Sequence, residues 1–92
     1  MPLSDYDKSR ISDWKRQIES KKIQLQNAKD EKKRDSESFA NRIKSASTPQ
    51  QKASIRQSKI TAMDNVNRRI DGFKKDIAYL REQIANLRER NS

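Results

Sequence analysis

The sequence predicts an all-α fold, with two long helices in an antiparallel coiled-coil hairpin that assembles further into a helical bundle. Three observations carry this reading. The second half of the chain holds an unbroken heptad stripe of apolar residues. A Ser/Thr/Pro break divides the chain into two segments of about 40 residues. The composition excludes a globule: of 92 residues only 16 are Leu, Ile, Val or Phe, and 22 Lys plus Arg against 13 Asp plus Glu give a net charge of +9. A chain so charged, with under about 20% of those apolar residues, has the composition of a disordered protein. A narrow stripe on a long helix needs far fewer large side chains than an enclosed core, so position decides what composition does not.

The first helix is expected over about residues 4–46. It opens at Ser4-Asp5-Tyr6-Asp7, where the serine hydroxyl caps the first turn and the acids complement the helix dipole. Ile11, Trp14, Ile18, Leu25 and Ala28 keep heptad phase, Lys21 interrupts it, and Lys29 to Ser38 contains no apolar residue before Phe39 and Ile43 resume the stripe. The bend, 46–48, follows from Thr48-Pro49-Gln50-Gln51, a capping box. Thr48 should accept from the Gln51 amide, Gln51 should reach back to the Thr48 amide, and Pro49 removes a donor that would have no partner. Proline also drives the residue before it out of the α region, which ends the first helix.

The second helix is expected over about 49–90. Met63, Val66, Ile70, Phe73, Ile77, Leu80, Ile84 and Leu87 follow alternating spacings of three and four without a miss. Acid–base pairs support both helices: Asp7 with Arg10, Asp13 with Arg16, Glu19 with Lys22, Asp30 with Arg34, Asp64 with Arg68 and Asp71 with Lys75. At about 0.2–0.5 kcal/mol each they do not replace packing.

Folding at Ser47 and Thr48 sets opposite one another residues whose numbers sum to about 95. Ile11 then faces Ile84, Trp14 faces Leu80, Ile18 faces Ile77, Leu25 faces Ile70, and Ala28 faces Val66. Lys59 is placed near Asp35 and Glu37. Ile23, Ala78, Tyr79 and Ala85 lie off the seam, and this surplus apolar surface predicts a second copy or another helical protein as partner. Trp14 is expected in the seam, its indole N–H at the open end. Gly72 admits two readings, close approach of another helix or simple tolerance.

The inventory argues against an enzyme. Without His or Cys the commonest general base, the thiol nucleophile and the usual zinc ligands are missing, and one Gly leaves no phosphate-cradling loop. The pairs Asp30 with Glu31 and Asp35 with Glu37 sit in a lysine-rich stretch that keeps them ionised. No cofactor or metal is expected. No window approaches the roughly 20 apolar residues of a membrane span, and Met1 to Asp5 holds no signal-peptide core, so no membrane insertion and a cytoplasmic location are expected.

Charge singles out the bend, since from Ser38 to Met63 the sequence has Arg42, Lys44, Lys52, Arg56 and Lys59 and no acid. That positive pole beside a helix N-terminus makes anion or nucleic-acid contact the alternative to a solubilising role. Trp14, Phe39 and Phe73 fit the seam, which leaves no base-stacking platform.

Ile43 to Thr48, Ala53-Ser54-Ile55-Arg56 and the Ile-Ala-x-Leu repeat at 77–87 together resemble the coiled-coil segments that precede TIR effector domains in bacterial defence proteins. The resemblance implies self-association and an assembly role; no TIR domain is present, so NAD chemistry is not implied. A second similarity, in length and in lacking a signal peptide, is to the small helical-hairpin proteins of type VII secretion. Their Trp-x-Gly turn is absent, since Lys15 and Arg16 follow Trp14. The resulting expectation is a scaffold or adaptor that self-associates or clasps a helical partner through its seam.

Overall fold

The structure, a computed structural model, describes residues 3–91. It contains two helices, α1 over Asp5–Ser45 and α2 over Pro49–Arg90, and no strand among the described residues. The chain is an all-α helical hairpin. Ser4 Oγ accepts from the Asp7 amide at 3.1 Å and Thr48 Oγ1 from the Gln51 amide at 3.1 Å, so both helices start on capping hydroxyls. The other half of the second cap differs from expectation. Gln51 Oε1 passes over the Thr48 amide and accepts from the Ser47 amide and hydroxyl, both at 3.1 Å, which ties the bend to the first turn of α2. At the far end Asn91 Nδ2 donates to the Leu87 carbonyl at 2.8 Å.

α1 runs through the stretch from Lys29 to Ser38 without interruption. Lys, Glu and Arg lose little side-chain freedom in a helix, so an apolar gap of this length weakens packing without breaking the backbone. Two of the expected intrahelical ion pairs form, Asp13 with Arg16 at 3.0 Å and Glu19 with Lys22 at 3.3 Å. Asp30 instead accepts from Gln26 Nε2 at 3.0 Å, on the side away from Arg34.

Packing divides into two units. The terminal unit joins the described residues up to Leu25 with those from Gly72 on. Its core is Ile11, Ile18, Ile77, Leu80, Ile84 and Leu87, with Leu3, Trp14 and Leu25 packed against it. The arms are antiparallel: Ile11 and Lys15 lie beside Arg88, while Lys22 and Leu25 lie beside Lys74 and Ile77. The bend unit, Gln26–Asp71, buries Ala28, Val66 and Ile70 and half-buries Phe39, Ile43, Ile55 and Met63. It too is antiparallel, with Glu31 bridged to Arg69 at 2.9 Å and Arg42 and Ser45 sharing a groove with Gln51 and Ser54.

Side chains meet beyond the sum of 95. Lys21 pairs with Asp76, two residues past it, and Glu31 with Arg69, five past it. Ile18 shares a groove with Ile84, where the simple pairing rule set it against Ile77. The cause is the tilt of every Cα–Cβ bond toward the N-terminus of its own helix. In an antiparallel pair the two tilts point opposite ways, so side-chain tips meet at higher numbers than the backbones do, and long side chains carry the offset further.

Candidate functional site

Every seam residue singled out by spacing turns inward. Ile11, Ile18, Val66, Ile70, Ile77, Leu80, Ile84 and Leu87 are at most 7% exposed, and Trp14, Leu25, Met63 and Phe73 are half-buried. Lys21, where the stripe breaks, is half-buried as well. Its Nζ lies 3.3 Å from Asp76 Oδ2 and 5.7 Å from the centre of the Phe73 ring, so the long stem covers the seam while the charge finds an acid and an aromatic face. Trp14 is covered on one side by the Arg10 guanidinium, 4.8 Å from its ring.

Two helices cover only one side of each other's stripe. Among the described residues no large side chain falls below 2% exposure, and Ile23, Ile60 and Tyr79 are 63%, 55% and 60% exposed. Gly72 has nothing within 4 Å of where a Cβ would stand, so nothing within the described chain needs its small size.

The basic residues of the bend do not converge. Arg42 is folded over the Phe39 ring at 5.0 Å, Lys44 and Arg56 are exposed, and Lys52 and Lys59 are half-buried along the seam side of α2. Among the described residues Lys59 makes no ion pair with Asp35 or Glu37, contrary to the pairing rule. The tilt of the side chains carries the meeting point of Lys59 past Asp35 and Glu37 along α1.

A groove along one flank of the terminal unit went unread in the sequence. Three adjoining hollows make it up, with Lys15 and Arg88 shared by the first two and Lys22 and Arg81 by the second two; the middle one has a volume of about 560 Å³. Ile11, Ile18, Leu25, Ile77 and Ile84 form its floor. Its edges are Lys8, Lys15 and Lys22 on α1 and Lys74, Arg81 and Arg88 on α2, all exposed, with Glu19 beside Lys22 the one acid among its lining residues. Both rows repeat every seven residues. The legible signal was therefore a heptad of cations beside the heptad of apolar residues. The opposite flank is mixed, lined by Arg10, Trp14, Gln83, Asn86, Glu89 and Arg90.

No group of His, Cys, Asp and Glu among the described residues is arranged to hold a metal ion, and none of their helices is long and apolar enough to cross a membrane. In comparisons with known proteins, no family model, curated protein or solved structure matches this chain.

Proposed function

We propose that this chain is a non-catalytic helical interaction module, a scaffold or adaptor that self-associates or binds a helical partner through its coiled-coil seam. The observation that carries the reading is the groove of the terminal unit, where the core side chains Ile18, Ile77 and Ile84, each 6–7% exposed, show only their edges between two rows of exposed cations. Apolar floors are stabilised by covering, and a third or fourth helix of matching period is the simplest cover. The resemblance to coiled-coil segments of bacterial defence proteins supports the same assembly role, in a cytoplasmic defence or effector complex.

Light scattering and circular dichroism over a concentration series test it. A dimeric or larger mass at micromolar concentration, with helicity rising alongside, or recovery of a helical partner by pull-down is expected. Ile77→Asp combined with Leu80→Asp should abolish the assembly, and neutralising Arg42, Lys52 and Arg56 should leave it intact. A monomer at micromolar concentration with no partner recovered sinks the proposal.

One observation favours nucleic acid as a second reading: the five cations from Arg42 to Lys59 make no ion pair among the described residues. That reading requires binding that falls steeply with salt and weakens when Arg42, Lys52 and Arg56 are neutralised.

A further inference from the structure

We infer that the groove of the terminal unit is the docking site for an acidic amphipathic helix of a partner protein. The inference rests on the interaction-module reading and gives the partner its chemistry. Lys8, Lys15 and Lys22 form one rail and Lys74, Arg81 and Arg88 the other, with successive cations on each helix about 10 Å apart along its axis. Between them the floor is aliphatic, and Ala78 and Ala85 keep one wall low enough for a helix backbone to approach. A helix with apolar residues at the core heptad positions and carboxylates at the flanking ones matches both the floor and the rails, as flanking charges do in coiled coils.

The rails face solvent with their charge largely uncompensated. Of the six cations only Lys22 has an ion-pair partner among the described residues, Glu19 at 3.3 Å. Concentrating like charge on facing edges works against the folded hairpin, and an acidic occupant converts that repulsion into attraction. The opposite flank carries no such pattern: there Lys21 is bridged to Asp76 and Glu89 stands among Arg10 and Arg90.

A second copy fits the groove poorly. A two-fold pairing of groove on groove sets rail against rail, and nowhere in the sequence do three acids recur at seven-residue spacing to supply a complementary face. A nucleic-acid backbone would leave the aliphatic floor against hydrated phosphates, which gain nothing from it.

The test uses the full chain and a fluorescent three-heptad peptide with Leu at the core positions and Glu at the flanking positions, beside a control with Lys in place of Glu. By anisotropy the Glu peptide should bind at least about tenfold tighter than the Lys peptide, an advantage that shrinks at high salt. Lys15→Glu combined with Arg81→Glu should reverse the preference, while Lys44→Glu with Arg56→Glu at the bend should not. Circular dichroism confirms that the variants fold, and the two-peptide comparison on the unaltered chain holds whether or not they do. Equal binding of both peptides overturns the inference. So does loss of the preference in the bend variant, or duplex DNA that displaces the Glu peptide and itself loses affinity when the rails are reversed. If the chain oligomerises and neither peptide binds, the groove assignment falls while the interaction-module reading stands.

Discussion

Gly72 and Lys21 depart from an ideal heptad helix in different ways. At Gly72 an added Cβ meets nothing within 4 Å, so Gly72→Ala should simply remove the helix penalty of glycine and stabilise the hairpin by about 1 kcal/mol, read from urea unfolding. Destabilisation instead would reveal a neighbour outside the chain packed against that position. Lys21 occupies a seam position with its charge held by Asp76 and Phe73. Replacing an ion pair of this exposure by apolar volume loses little electrostatic energy and completes the stripe. Lys21→Leu should therefore raise the stability, by about 1 kcal/mol in the same urea titration, and at the same time enlarge the apolar surface available to a partner.

At the scale of the element, the two helices are equally long and unequally packed. α2 contributes Val66, Ile70, Ile77, Leu80, Ile84 and Leu87 to burial, whereas between Ile18 and the bend α1 buries only Ala28. The residues from Lys29 to Ser38 are held by backbone bonds and by Glu31 reaching Arg69. Their amides should exchange with deuterium faster than those of Ile11 to Leu25, measurable by mass spectrometry or NMR, and uniform protection along α1 would mean that the apolar gap is packed after all. Much of this architecture was legible in the sequence, because helix starts depend on local chemistry at Ser4 and Thr48 and the seam depends on period alone. What escaped was any quantity set between helices. The meeting point of Lys21 with Asp76, the missing bridge from Lys59 and the choice of Ser47 by Gln51 all turn on side-chain direction, which residue numbers do not encode. The cation rails escaped for another reason: a heptad of lysine and arginine buries nothing by itself and has the same pattern as an ordinary solvated helix face.

For the molecule as a whole, charge is the largest force that packing does not balance. Four ion pairs appear among the described residues, with both partners of each still substantially solvated, against a net charge of +9. Exposed pairs contribute at most about 1 kcal/mol each, so screening should relieve more repulsion than it removes attraction. Raising sodium chloride from low to about half-molar should increase the melting temperature of the isolated chain, and a fall would mean that the few bridges outweigh the self-repulsion. The sparse apolar content that reads as disorder is enough for a seam, and it ties persistence of the fold to what covers that seam.

The opposed tilt of the side chains also bears on covalent chemistry. A staple meant to lock the arms shut, whether a disulfide or a short bifunctional reagent, is naturally placed by counting back from the bend, which would match Lys21 with Lys74. The side chains that face one another are those of Lys21 and Asp76. Coupling that amine directly to that carboxylate as an amide uses the 3.3 Å approach of their tips and traps the closed hairpin before any partner is added, whereas cysteines there would lose the long lysine stem that makes the contact.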